Sequence, residues 1–165
     1  MTATAFVGLG ANLGSAADTL EAAIERLAAL PGTRLEARSS LWRTAPVDAG
    51  GPDYLNAVAM VRTALDAPGL LDALLDIERE FGRERPFQNA PRTLDLDLLL
   101  HGQATVSVPG LVVPHPRMHL RGFVLAPLLE IAPAVRIPGI GPAAACLPAC
   151  QDQRVERIGH LPFTA

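Results

Sequence analysis

The order of its apolar patterns constrains the fold of this chain more than any other feature. Strand-like and helix-like periodicities follow one another as β-α-β-β-α-β. The six segments are residues 4–10, a helix from the caps Ser15 and Asp18 to Leu30, 35–42, 55–63, a helix from Asp66 to Phe81, and 93–100. This order predicts a ferredoxin-like α+β fold with a mainly antiparallel sheet and both helices on one face.

The rest of the chain is expected to surround this core. Residues 118–130 should form a helix in two pieces that separate at Pro127, and residues 105–108 a short edge strand. Frequent Pro and Gly beyond Pro133 predict an irregular cover. With flanking helices, we expect an α/β/α-type sandwich. No repeat or linker divides residues 1–165, which should form a single domain.

Charge and cysteine content disfavour several functional classes. The 165 residues carry 14 basic and 17 acidic side chains, and the formal charge of −3 argues against binding to a nucleic-acid backbone. The two cysteines, Cys146 and Cys150, cannot form a disulfide framework, so we expect a reducing cytoplasm. The start of the chain lacks the basic segment of a secretory signal. Pro, Gly and His interrupt the longest uncharged run, so no membrane span is expected.

Two aspartates in the last predicted strand are the strongest indication of a site. Asp95 and Asp97 flank Leu96, and residues i and i+2 of a strand point to the same face. Neighbouring carboxylates repel unless a cation lies between them, and their hard oxygens suit Mg²⁺. Two ordinary acids on a solvated face would give the same pattern, but the surrounding leucines indicate an interior strand and favour a site.

Arginines precede these aspartates. All 14 basic residues are Arg, and Arg79, Arg83, Arg85 and Arg92 lie within or beside the polar loop over residues 82–91. Guanidinium forks hold phosphate oxygens in pairs, so the set suggests a polyphosphate bound between Arg and Mg²⁺. The loop itself would then close over the ligand as a lid. The alternative is a solvated basic stretch that pairs with nearby glutamates.

A histidine and a tyrosine add to this set. Prolines on both sides fix the backbone around His115, although a surface histidine in a turn is the commoner case. Arg117 and Arg121 lie four residues apart and should share a helix face. Aromatic residues make up only 4% of the chain. Tyr54, beside a Pro- and Gly-rich loop and ahead of Asn56, is the aromatic residue best placed to stack on a planar ligand.

A glycine-rich segment invites a dinucleotide-binding interpretation, which its spacing disfavours. Residues 8–14, GLGANLG, follow a strand and precede a helix, but one residue too many stands before the last Gly. Ser39 and Ser40, rather than an acidic residue that could hold a ribose, end the second predicted strand. A tight turn with close backbone approach explains the glycines better.

Taken together, the motifs resemble the 6-hydroxymethyl-7,8-dihydropterin pyrophosphokinases of the folate pathway, from residue 6 to about residue 133. The similarity rests on residues 8–14, 39–44, 54–57, 77–78, 82–85, 91–99, 113–118 and 121–125. It implies transfer of the β,γ-pyrophosphoryl group of ATP to the hydroxymethyl oxygen of the pterin, which leaves AMP. It also implies a stand-alone, monomeric enzyme without nucleic-acid or membrane partners, since 165 residues leave no room for a fused second enzyme.

The resemblance assigns a role to each matching residue. Two Mg²⁺ ions would be held by Asp95 and Asp97. The catalytic residues would be Arg83, Arg92 and Asp97. The ATP site would comprise Glu78, Arg83, Arg85, Arg92, Leu98, His115 and Arg121. The pterin site would comprise the backbone of Thr44, Ala45 and Val47 together with Tyr54, Asn56, Asp95 and Phe123, with the ring between Tyr54 and Phe123. Some relatives carry a Trp near Phe87 and basic residues at Pro86 and Gly110, so phosphate binding is expected to differ in detail.

Three other functional classes are possible, of which the first two are known uses of a ferredoxin-like fold. A regulatory small-molecule module would not need both the paired acids and the arginine loop. An RNA-binding domain would need aromatic residues on its sheet and a basic face, whereas Asp95 and Asp97 would repel RNA phosphates. A metal-dependent phosphatase would release phosphate without any pterin. Release of AMP from ATP that depends on the pterin alcohol distinguishes the pyrophosphokinase from all three.

Overall fold

An antiparallel six-stranded sheet forms the centre of the computed structural model, which describes residues 2–12, 16–44, 54–82 and 94–159. Its strands are β1 (Ala3–Ala11), β2 (Thr33–Arg38), β3 (Leu41–Thr44), β4 (Tyr54–Thr63), β5 (Asp95–His101) and β10 (Val155–Gly159). The sheet order is β10-β3-β4-β1-β5, and β2 also pairs with β4. This is the predicted ferredoxin-like arrangement, in which the first strand lies between the third and fourth predicted strands.

The second predicted strand is in fact two strands. β2 and β3 both pair with β4, and the chain breaks between them at Ser39 and Ser40. Ser39 Oγ accepts a hydrogen bond from the Val58 amide at 2.9 Å, while the Ser40 amide and hydroxyl both donate to the carboxylate of Glu130. A continuous strand was the wrong prediction because the buried Ser40 bonds to Glu130, 90 positions away, and the Ser39 hydroxyl accepts from the Val58 amide.

Helices cover both faces of the sheet, as an α/β/α sandwich requires. On one face lie α1 (Ala16–Ala28) and α2 (Ala67–Gly82), whose buried leucines pack against alternate residues of β1, β4 and β5. On the other face α3 (Gly122–Ile131) packs against Phe6, Val58 and Leu99. None of the described residues forms a helix that is long and apolar enough to cross a membrane.

The third helical stretch breaks six residues earlier than predicted. A single 3-10 turn, Met118–Leu120, ends at Arg121, whose extended backbone (φ −117°, ψ 109°) separates it from α3. Pro127 lies buried inside α3 rather than at a break. Packing of Val124, Leu125 and Leu128 in the core offsets the backbone hydrogen bond that Pro127 cannot donate.

The chain beyond Pro133 is more regular than predicted. It forms a small hairpin of β8 (Arg136–Ile137) and β9 (Gly141–Pro142), a 3-10 helix over Ala143–Cys150, and β10. β10 joins the central sheet beside β3. The predicted strand near residue 106 is β6 (Val106–Val108), but it pairs with β7 (Leu111–Val113) in a separate hairpin instead of extending the main sheet.

Candidate active site

Asp95 and Asp97 lie on the α3 face of β5. Leu96 and Leu98 alternate with them and are buried beneath α1 and α2, whereas Leu99 belongs to the core on the opposite face. The Asp97 side chain is 46% exposed, so it is open to a ligand. The structure thus places both carboxylates side by side at one end of the sheet. The 5%-exposed Leu98 side chain points away from them, so only its backbone can line a site on the α3 face.

Two glycines of β1 form a bare strip beside the aspartates. Gly8 pairs with Asp97 of β5, and Gly10 pairs with Asp95 on one side and with Asn56 on the other. Both glycines lie within β1, so the tight turn predicted for residues 8–14 does not form at Gly8 or Gly10; residues 13 and 14 lie outside the described residues. A side chain at position 10 would stand between Asn56 and Asp95. Two strand spacings separate those residues by roughly 9.5 Å, a width that suits a flat ring. In the sequence, two glycines at positions i and i+2 of a predicted strand are the pattern that indicates this strip.

Asn56 is held in place on the far side of this strip. It is only 6% exposed, and its Nδ2 donates a 3.0 Å hydrogen bond to Oγ1 of Thr44 on β3. Tyr54 lies two residues earlier on β4 and pairs with Thr44. The Thr44 hydroxyl therefore orients the Asn56 amide, a role that sequence reasoning missed because it assigned only the Thr44 backbone to the site.

Arg121 and Phe123 lie at the start of α3. The Arg121 guanidinium carbon is 5.5 Å from the centre of the Phe123 ring, within the range of a cation–π contact. Phe123 also packs against the core between α3 and the sheet. This contact brings together one residue expected in the ATP site and one expected in the pterin site.

His115 follows β7 and faces the aspartates. Its amide donates to the Leu99 carbonyl at 2.9 Å, and its Nε2 lies 3.9 Å from Oδ1 of Asp97. Burial lowers the pKa of His115 below its ordinary 6.5; Asp97 opposes this shift, and the guanidinium groups of Arg121 and Arg117 add to it. The ring is therefore neutral at pH 7. Nδ1 accepts from the Arg117 amide, which leaves the proton on Nε2, towards Asp97.

Glu78 on α2 holds the β5 backbone between the two aspartates. Its carboxylate accepts a 2.7 Å hydrogen bond from the Leu96 amide, between the two aspartates. The C-terminal half of α2 thereby fixes the backbone of β5 where Asp95 and Asp97 project. Five of the expected site residues, and Phe87, lie outside the described residues: Ala45, Val47, Arg83, Arg85 and Arg92.

Glu130 anchors α3 to the strand that carries Thr44. Its carboxylate accepts hydrogen bonds from the Ser40 amide, the Ser40 hydroxyl and Trp42 Nε1, and Arg157 lies 4.0 Å away. Burial alone would raise the pKa of Glu130. The hydrogen bonds from Ser40 and Trp42 and the charge of Arg157 outweigh it, so the pKa lies below its ordinary 4.5.

The lowered pKa of Glu130 predicts acid-sensitive stability. A carboxyl whose pKa is lower in the folded state stabilises it above the unfolded pKa, and this contribution disappears as the pH falls below 4.5. Glu130→Gln should lower the Tm at pH 7 by on the order of 5 °C. In thermal melts from pH 7 to pH 3, the difference from the unaltered protein should shrink below pH 4.5. Glu25→Gln, at an exposed position of α1, is the matched control, and parallel curves for all three proteins would contradict the assignment.

Comparison with known proteins identifies the family. Residues 6–133 match the family described as 7,8-dihydro-6-hydroxymethylpterin-pyrophosphokinase (HPPK). A Pseudomonas aeruginosa 2-amino-4-hydroxy-6-hydroxymethyldihydropteridine pyrophosphokinase is 42% identical over 154 residues, 93% of this chain and 95% of the relative. The enzyme of the same name from Methylorubrum extorquens is 43% identical over 155 residues, 92% of this chain and 98% of the relative. The Synechocystis enzyme is 46% identical over 129 residues, but the match covers 78% of this chain and 66% of that relative.

Solved structures agree in fold. The crystal structure of wild-type Plasmodium falciparum HPPK-DHPS superposes with a TM-score of 0.73 at 13% sequence identity, covering 90% of this chain. The chain spans only 44% of that longer protein, so this likeness concerns the fold alone. With the family match over residues 6–133 and relatives above 40% identity along nearly their whole length, this chain belongs to the 7,8-dihydro-6-hydroxymethylpterin-pyrophosphokinase family.

Proposed function

We propose that this chain transfers the β,γ-pyrophosphoryl group of ATP to the hydroxymethyl oxygen of 6-hydroxymethyl-7,8-dihydropterin, as a cytoplasmic, monomeric, single-domain enzyme of folate biosynthesis. The observation that carries the proposal is the row Asn56, Gly10, Asp95 across three adjacent strands. The Asn56 amide, which can hydrogen-bond to a heterocycle, lies on one side of the glycine strip. The carboxylate pair, which can bind a metal–nucleotide complex, lies on the other side.

The donor set at Asp95 and Asp97 fits Mg²⁺ bound together with ATP. No group of three or more His, Cys, Asp or Glu residues gathers within the described parts of the chain, so the protein offers this ion two carboxylates there and no closed cage. Mg²⁺ commonly takes one or two carboxylates and completes its shell with substrate phosphates and water. Asp95 and Asp97 would hold two such ions, which neutralise phosphate charge and align the transferred group when bound.

The transfer is a displacement at the β-phosphorus of ATP. The hydroxymethyl oxygen forms a bond to this phosphorus, the bond to the oxygen bridging the α- and β-phosphates breaks, and AMP leaves with that oxygen. The hydroxyl proton passes to the carboxylate of Asp97, which lies on the open face of β5. Arg83 and Arg92 would stabilise the charge that shifts among the phosphate oxygens.

The remaining residues position the two substrates. ATP would be bound by Arg83, Arg85, Arg92, His115, Arg121 and the backbone of Leu98, and Glu78 would contribute to this site by holding the Leu96 amide from the α2 side of β5. The pterin ring would lie between Tyr54 and Phe123, with Asn56, Asp95 and the backbone of Thr44, Ala45 and Val47 at its polar edges. Support comes from the Thr44–Asn56 hydrogen bond and from the Arg121–Phe123 contact, which fix one polar and one aromatic element of this site.

A direct test follows AMP release from Mg²⁺–ATP with and without 6-hydroxymethyl-7,8-dihydropterin. Stoichiometric formation of AMP and the pterin diphosphate only when both substrates are present is the expected result. Release of inorganic phosphate without the pterin would instead indicate a phosphatase. Binding of the pterin without AMP formation would indicate a regulatory module.

A further inference from the structure

The tail beyond the family match contacts the start of α3. Gln153 lies 20 residues past residue 133, where the match ends, and 31 residues from Gly122. Its Oε1 accepts a 2.7 Å hydrogen bond from the Gly122 amide, and its Nε2 donates a 2.9 Å hydrogen bond to the Leu120 carbonyl. A single side-chain amide therefore bridges the residues on both sides of Arg121.

This bridge replaces a local helix cap. The first amides of a helix have no partner within the helix, and Arg121, at the cap position of α3, makes no side-chain capping hydrogen bond. Gln153 supplies the missing acceptor from the tail. Gln153 hydrogen-bonds to the backbone of both Leu120 and Gly122. These bonds restrict the backbone conformation of Arg121, which lies between them, and of Phe123, which follows Gly122.

The tail packs directly against Gly122 at the start of α3. A Cβ on Gly122 would lie 3.2 Å from Cγ2 of Val155 and 3.3 Å from Oε1 of Gln153. Val155 begins β10 and pairs with Thr44, the residue that orients Asn56. Residues 153–155 thus contact two parts of the site: Thr44 on β3, and Gly122 at the start of α3.

We propose that Gln153 is a positioning residue that holds Arg121 and Phe123 in the geometry needed to bind the pterin and ATP. The inference rests on the proposed substrate roles of those two residues. Both polar atoms of the Gln153 side chain are engaged by the backbone of α3 and the turn before it, so Gln153 would act on the substrates through Arg121 and Phe123. The tail of this chain, beyond residues 6–133 that match the family description, is thereby a component of the active site.

The test compares Gln153→Ala with Gln151→Ala. Gln151 is an exposed glutamine of the same tail, and its side chain makes no hydrogen bond with the described residues. By calorimetry with Mg²⁺ and a non-hydrolysable ATP analogue, Gln153→Ala should raise the Kd of the pterin about tenfold, as loss of a supporting hydrogen-bond partner commonly does. The Tm should fall by only about 2–4 °C relative to that of Gln151→Ala, the effect of losing one helix cap, so the protein stays folded during the titration. Hydrogen exchange of the Gly122 amide should accelerate in Gln153→Ala alone.

A second variant and the unaltered protein separate the possible outcomes. Gln153→Glu keeps an acceptor for Gly122 but cannot donate to Leu120, so an intermediate Kd is expected. A Kd within twofold of the unaltered protein for both Gln153 variants would overturn the positioning role while leaving the proposed function intact. If the unaltered protein neither binds the pterin nor releases AMP, the proposed function fails and the inference fails with it.

Discussion

Replacing Asp95 or Asp97 by alanine is expected to lower kcat by on the order of a thousandfold or more. Each change removes one of the two carboxylates on the open face of β5 and leaves the triphosphate charge without its counter-ion site. Both positions are partly exposed, so the fold should tolerate the change. Steady-state AMP release at saturating Mg²⁺ measures the loss. Asp72→Ala, at an exposed position on α2, provides a matched loss of one acidic side chain.

The metal role also predicts how binding changes in the same variants. The apparent affinity for Mg²⁺ in the presence of ATP should fall in Asp95→Ala and Asp97→Ala and stay constant in Asp72→Ala. Near-normal turnover in either β5 variant at saturating Mg²⁺ would exclude the aspartates as essential metal ligands.

Replacing Asn56 by alanine should weaken pterin binding by on the order of a hundredfold, the loss of two to three hydrogen bonds. The nearly buried amide would otherwise meet the polar edge of the heterocycle, and its removal also leaves the Thr44 hydroxyl without its partner. The affinity for Mg²⁺–ATP should change by less than about twofold, because Asn56 and the aspartates lie on opposite sides of β1. Calorimetric titration with each substrate measures both quantities.

Thr44→Val provides a graded comparison for Asn56→Ala. It keeps the shape of the side chain but removes the oxygen that accepts from Asn56 Nδ2, so the amide is present but no longer oriented. We expect a smaller loss of pterin affinity than in Asn56→Ala. Equal losses for the pterin and for ATP in Asn56→Ala would contradict separate pockets on the two sides of the glycine strip.

The sequence predicted the parts of the fold that depend on local periodicity. Alternation along 93–100 correctly placed Asp95 and Asp97 on one face, because the leucines between them must be buried. The same reasoning failed at Ser39 and Ser40, whose break is stabilised by Glu130 on a helix 90 residues later. No local pattern contains that partner.

The site was predictable to the extent that its residues are chemically distinctive. Paired acids, a histidine between prolines and a tyrosine before an asparagine indicated the region, and the resemblance supplied their roles. The Gln153 bridge could not be predicted, since an exposed glutamine in a Pro- and Gly-rich tail carries no recognisable pattern. The direction of Leu98 was predictable from alternation with Asp97, but the assigned ATP contact did not distinguish side chain from backbone.

The position of β10 at the sheet edge has a consequence for local unfolding. Its pairing with β3 joins residues that are distant in sequence, such as Arg43 and Glu156, 113 positions apart, and most of its side chains are exposed. Such long-range, weakly buried contacts form late in folding and open at a lower free energy than the core. We therefore expect the backbone amides of β10 to undergo hydrogen exchange faster than those of the core. Each opening of β10 should also release Gln153 from α3. Heating would then weaken pterin binding at temperatures where the helices and the central strands are still folded.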